Sequence, residues 1–231
     1  MFSALIAIIV ALIIGFAYHV SQPLSTIFKE DSMDESMSSS REKGAAGEAI
    51  IHDFFQHLPG NYIVFQNIYL PLKKDGEYTE IDLIVVHEKG VFVIESKNYE
   101  GKITGDSMEH YWQKSHSPTF SQRFYNPIMQ NATHIAALER VIGSVEYDTI
   151  YSIVVFGPHA ELHVEAMPAD HIFVMKTTQL SAIHEIIQAS NARLPYEYIA
   201  SELQKYHSND WQMKTSHVNR LKLKYRRRAI S

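Results

Sequence analysis

Two carboxylates and an amine, Asp82, Glu95 and Lys97, interrupt the most apolar stretch of the chain outside its N-terminus. The runs Ile81–Val86 and Val91–Ile94 are rich in Val, Ile and Phe, too short for helices, and joined by His87-Glu88-Lys89-Gly90, which together predict a β-hairpin. Apolar residues fill both strand parities, so both faces of this hairpin are covered. Ionisable groups in such a place need a charged partner or a metal. With a two- or four-residue loop, His87 faces Gly90 and, counting back, Asp82 faces Glu95, while alternation puts Lys97 on the same face as Glu95. Opposed residues have Cβ atoms about 4.5–5.5 Å apart, close enough for two carboxylates to share one cation. Hard oxygen ligands beside an ammonium suit magnesium-assisted phosphodiester cleavage. A three-residue loop with Gly90 in a bulge shifts the register by one and separates the carboxylates, so that alternative stays open.

Asp82 followed by Glu95-Ser96-Lys97 resembles the D…(E/Q)xK signature of the restriction-endonuclease-like PD-(D/E)xK superfamily. Ile81 stands where a proline often precedes the aspartate. Four elements in order, Gly44-Ala45-Ala46-Gly47-Glu48, Glu80-Ile81-Asp82, Glu95-Ser96-Lys97-Asn98-Tyr99 and Asn126-Pro127-Ile128-Met129-Gln130, resemble the nuclease-related domain (NERD) family, from Gly44 to about Gly143. The resemblance implies an α/β, restriction-endonuclease-like fold with a mixed central sheet flanked by helices. It also implies a hydrolase that cleaves nucleic acid, DNA foremost. Glu48, Asp82 and Glu95 would hold Mg2+ or Mn2+, Lys97 would activate water or stabilise the phosphate, and Gln130 would assist positioning.

Elements must carry these residues to one place. Ala45, Ala49, Ile50, Phe54 and Leu58 recur at helical spacing over 44–58, and Pro59-Gly60 ends that helix. Glu48 lies near its beginning, where the plainer role is a partner for the helix dipole. A strand follows over Asn61–Leu70, then a turn at Lys73-Lys74-Asp75-Gly76. Lys102-Ile103-Thr104 and His110–Gln113 predict short strands that extend the hairpin as a meander, with Trp112 packed on the sheet rather than stacked on a base. Asn126-Pro127 opens a helix with a core face of Ile128, Ile135, Leu138 and Ile142; Asn131 and His134 share the side of Gln130 as a polar strip. Tyr151–Phe156 and Ile172–Met175 predict strands. Thr177 or Thr178 caps a helix to about Ala189, and Tyr196–Tyr206 predicts another. His159 and His163 have an i,i+4 spacing, but Glu161 is misplaced for the metalloprotease motif and the segment reads as a loop.

The termini supply the remaining expectations. Phe2–Val20 is a run of 19 without a charged residue, close to the length that crosses a bilayer. Lys29, Arg41 and Lys43 follow it and no basic residue precedes it. The expected domains are a single-pass transmembrane anchor (1–21), a flexible linker (22–43), the nuclease-related domain on the cytoplasmic side of the cell membrane (44–210), and a basic tail (211–231). The tail carries seven Lys or Arg residues and no acid, which suits nucleic acid, anionic lipid or plain solvation. The net charge of −5 confines any nucleic-acid-binding surface to a local patch, and the absence of cysteine excludes disulfides and thiolate zinc sites. A catalytically inactive binding module and a structural membrane partner, with an Asp82–Lys97 salt bridge, are the competing readings.

Overall fold

The computed structural model describes residues 47–207, apart from 74–75, 118–119, 144–148 and 166–169. The expected anchor, linker and basic tail lie outside the described residues. Among those described, no helix is long and apolar enough to cross a membrane.

The chain is mixed α/β. Helix α1 covers 47–55, followed by β1 (Tyr62–Pro71), β2 (Tyr78–His87) and β3 (Gly90–Lys97). Next come β4 (Gly101–Gly105), β5 (Tyr111–Ser117), β6 (Phe120–Tyr125) and helix α2 (Pro127–Ile142). Strands β7 (Ile150–Phe156), β8 (Ala160–Val164) and β9 (Ile172–Lys176) lead through a 3-10 turn (Thr177–Gln179) into α3 (Ala182–Ala189) and α4 (Tyr196–His207). The central sheet has the order β1-β2-β3-β7-β9. Its first three strands are antiparallel, and β7 and β9 join parallel to β3.

The sheet is covered on both faces, as its two-parity apolar strands require. Ile51, Phe55 and Leu58 pack with Leu83, Val85, Phe92, Ile94 and the α3 residues Ile183 and Ile187 on one side. Ala137, Leu138 and Ile142 of α2 and Ile199 and Leu203 of α4 cover Ile84, Val86, Val91 and Val93 on the other. Of the expected stripe, Leu58 is buried and Phe54 half-buried against this core, Ala49 and Ile50 are exposed, and Ala45 lies outside the described residues, so the buried face of α1 is shifted by one residue in its first turns. Ile50 is exposed, because neighbouring pairs Ile50-Ile51 and Phe54-Phe55 offer two apolar stripes and the sheet contacts select the second.

A second sheet, β6-β5-β4-β8, replaces the expected continuous meander. Strand β4 pairs not with β3 but with β5 and, in parallel, with β8. Residues 159–163 are thus largely strand rather than loop: Leu162 is half-buried while its neighbours Glu161 and His163 are exposed. Trp112 is fully buried against Phe156, with its indole N–H donated to the Asp106 carbonyl at 2.8 Å, so its role is packing. The helix expected from Thr177 begins after Ser181, because Thr177–Gln179 closes a separate 3-10 turn.

Candidate active site

The tight turn after β2 sets the register. His87 pairs with Gly90 and the ladder runs to Leu83 opposite Ile94, which puts Asp82 level with Glu95. Pairing then stops. The Ser96 N–H goes to Asp82 Oδ2 at 2.8 Å, so the aspartate side chain caps the point where the two strands part. On the other side of Asp82, the β1–β2 ladder pairs Gln66 with Leu83 and Ile68 with Ile81 but skips the intervening residues. The residue skipped on β1 is Asn67, whose φ of 52° lies in the left-handed region that asparagine tolerates better than most side chains. Alternation breaks there on both strands. Phe65, Ile68 and Leu70 all enter one core, as do Ile81, Ile84 and Val86.

This kink corrects the expectation that Asp82, Glu95 and Lys97 project together. Asp82 lines a narrow crevice with Glu48, Gln66, Leu83, Ile94 and Ser96, next to α1. Glu95 turns toward α2. Its Oε1 accepts from Lys97 Nζ at 2.5 Å, and its Oε2 lies 3.0 Å from His134 Nε2. An ionised carboxylate only accepts, so Nε2 carries a proton; in the neutral ring Nδ1 then accepts from the Thr79 hydroxyl, 2.9 Å away. Lys97 also donates to Gln130 Oε1 at 3.2 Å. Lys97, Glu95, His134 and Thr79 form one chain, with Glu95 and His134 each only 2% exposed.

Local structure explains each placement. Helix α2 starts where Asn126 Oδ1 accepts from the Ile128 N–H and Pro127 occupies the first turn, which orients Gln130 one turn later. The Asn126 Nδ2 donates to the carbonyls of Asp106, Ser107 and Glu109, tying the helix to the β4–β5 turn. Asn131 and His134 lie in the buried face of α2 rather than beside it, and Ile135 is only half-buried. Asn131 earns that position by donating to the Val93 carbonyl at 2.8 Å and the Ser152 hydroxyl at 3.0 Å. Glu48 reaches the crevice because Gly47 packs on Asn98, where an added Cβ would stand 3.2 Å from the asparagine Cβ.

The electrostatics divide the carboxylates. Burial, then the Glu95 charge, pushes Asp82 up to about 8. Glu48 is raised too, by burial and then by Glu80 and Glu95. Burial also presses Glu95 upward, but the His134 hydrogen bond and the Lys97 charge outweigh it, and Glu95 titrates below the usual glutamate range. Lys97 is raised: the attraction of Glu95 overcomes the cost of its own burial. Among the described residues, no three His, Asp or Glu side chains are gathered as a metal-holding group. Glu48, Asp82 and Glu95 are neighbours by charge but not a preformed ligand set, because Lys97 and His134 occupy both oxygens of Glu95.

The sequence pattern of the nuclease-related domain family matches residues 43–157. Over that span the chain belongs to the nuclease-related domain family. The match runs on past the expected limit near Gly143 to the end of β7, the strand that flanks β3. An uncharacterised protein of Bacillus anthracis is 41% identical over 101 residues, covering 43% of this chain and 47% of the relative. The chain thus spans about half the length of the curated relative it matches. No solved structure matches.

Sequence reasoning named Glu48, Asp82, Glu95, Lys97 and Gln130, and the nuclease-related domain brings all five to the fork between β2 and β3. It did not find Thr79, Ser96, Gln66 or Asn67. Only Asn67 carries a sequence signal of its own, an asparagine amid strand formers.

Proposed function

We propose that this protein is a metal-dependent nuclease that hydrolyses phosphodiester bonds of DNA, held at the cell membrane by its N-terminal apolar run with the catalytic domain in the cytoplasm. One observation carries the reading: residues as distant in sequence as Glu48, Asp82, Lys97 and Gln130 converge where the sheet opens. The restriction-endonuclease-like assignment rests on the same convergence.

The donor set fits a hard divalent cation such as Mg2+ or Mn2+. Glu48 makes no hydrogen bond among the described residues, Asp82 has one oxygen bonded and the other open, and both carboxyls are raised by burial and by like charge. Asp82 and Glu48 would hold the ion, and Glu95 would join them only by yielding an oxygen now bonded to Lys97 or His134; the ion would supply charge stabilisation for the phosphate and a more acidic water. Lys97 carries its positive charge to the scissile phosphate, held in place by Glu95 and Gln130. In hydrolysis a water oxygen adds to phosphorus, the ester P–O bond breaks, and the departing oxygen takes up a proton. The Lys97 ammonium offsets charge that develops in that step, a role worth about 10²–10³ in rate.

The buried Lys97–Glu95–His134 arrangement also supports a second reading, a binding module in which these groups form a structural ion-pair network. Plasmid cleavage by the full chain in mild detergent separates them. Nicking or linearisation with Mg2+ or Mn2+, abolished by EDTA and by Asp82→Asn and Glu95→Gln, is expected. No cleavage with either metal leaves the binding module.

A further inference from the structure

The inner face of the second sheet looks into the same space as the end of β3. Ile103 and Trp112 enter a core with Val154 and Phe156 of β7, and Phe156 is the residue paired with Lys97. Alternation along β5 carries Lys114 to the side of Trp112, and its partner on β4 is Ile103. Tyr99, two residues beyond Lys97, bridges the two lysines. Its ring meets Phe124 at 5.0 Å and Phe156 at 6.4 Å, Lys114 Nζ lies 4.2 Å over it, and its hydroxyl is within electrostatic reach of Lys97. Lys114 is half-buried, and among the described residues no carboxylate pairs with it. Burial, with no opposite charge to offset it, holds its amine below the usual lysine range. Lys97 differs, since Glu95 pairs with it at the same site.

We propose that Lys114 contacts a backbone phosphate of the substrate next to the one that Lys97 serves, so that the nucleic acid is held between the end of β3 and the inner face of the second sheet. A half-buried cation without a counter-charge carries a desolvation cost that a bound anion removes. The Tyr99 ring holds the ammonium in place but leaves its charge whole. A nucleic-acid backbone presents anions in series, so a second cation beside Lys97 meets the neighbouring phosphate. The need for it is local. The carboxyls of Glu48, Asp82 and Glu95 repel one another at the fork, Lys97 is shared with Glu95, and a net charge of −5 gives no general attraction for a polyanion. Such a contact sets the register of the backbone without reading sequence. The inference deepens the nuclease reading and rests on it for the identity of the anion.

Fluorescence anisotropy of a labelled DNA duplex of mixed sequence, in EDTA so that no cleavage intervenes, measures binding to the full chain in mild detergent. Lys114→Gln should weaken binding by about tenfold at about 0.1 M salt and flatten the slope of log affinity against log salt by about one, as one lost phosphate contact does. Lys114→Arg should keep both, since the charge remains. With Mg2+, Lys114→Gln should raise KM and nearly keep kcat, whereas Lys97→Ala lowers kcat. Equal affinity and slope in wild type and a folded Lys114→Gln protein overturn the contact, as does a loss of kcat with KM unchanged. If the glutamine variant fails to fold, amine-reactive labelling of wild type decides: DNA should protect Lys114, and equal labelling with and without DNA overturns the contact. The two readings fail separately. A wild type that cleaves plasmid while Lys114→Gln binds normally loses only the contact, and one that binds DNA through Lys114 but never cleaves loses only the nuclease. A wild type that neither binds nor cleaves DNA loses both.

Discussion

At the scale of single residues, Asp82 carries the sharpest pH signature. Its carboxyl is raised from 3.8 to about 8 in the folded state, chiefly by burial and then by Glu95. Between those values the folded chain holds a proton that the unfolded chain has released. The stability this contributes is complete below about pH 4 and is lost as pH rises through about 8. Asp82→Asn is neutral throughout, so melting curves should show wild type losing ground to the variant from pH 4 to 8. A constant gap across that range would exclude the shift. Glu95 has the opposite sign, lowered when folded, so its contribution is lost in acid, toward and below the low end of that range. Lys97→Ala and His134→Leu each strip one donor from Glu95 and should each cost about 1–3 kcal/mol in denaturant titrations. Cleavage should separate them, falling by about 10²–10³ only for Lys97→Ala. Equal loss of cleavage would make Lys97 a structural partner of Glu95.

At the scale of elements, α2 depends on a single buried amide. Asn126 is fully buried, caps the helix through Oδ1 and binds three carbonyls through Nδ2. Asn126→Asp keeps the cap acceptor but places a carboxylate against those carbonyls. It should cost more than a lost cap alone, above about 2 kcal/mol, and lower cleavage by displacing Gln130. A stable, fully active Asn126→Asp protein would show that the cap is the whole of its role. The elements nearest the site were also the most legible. The β2–β3 hairpin announces itself through unbroken Val and Ile runs around a short turn, and Asn126-Pro127 marks a helix start by local chemistry. Strand β6, Phe-Ser-Gln-Arg-Phe-Tyr, was not legible because this edge strand is exposed except for the half-buried Phe124, so it has no apolar alternation to betray it. Strand β8 was hidden by the polar residues of its open face. The kink at Asn67 and Asp82, and the burial of His134, follow from contacts between segments far apart in sequence, which no local pattern records.

At the scale of the whole molecule, the apolar N-terminus and the nuclease-related domain call for separate tests. Fractionation should place the full chain with membranes, and protease should reach the domain only after the cells are opened. Recovery of a chain cleaved after the apolar run would make that run a signal peptide instead. The basic tail belongs to the same scale. Removing Lys214 to Ser231 should weaken salt-sensitive attachment to DNA or to anionic vesicles, and no change in either would mark the tail as merely solvated.

The two sheets share a seam. Strand β7 joins the central sheet between β3 and β9, and β8, only a few residues after β7, completes the second beside β4. A ribosome therefore delivers every proposed catalytic residue before either sheet can be finished. The emerging chain must wait for residues 150–164 before β7 can join the central sheet and β8 the second, and β9 (Ile172–Lys176) then closes the edge of the first. Loss of that segment should dismantle them together, so heat or denaturant should reveal one cooperative transition for residues 47–207 rather than two.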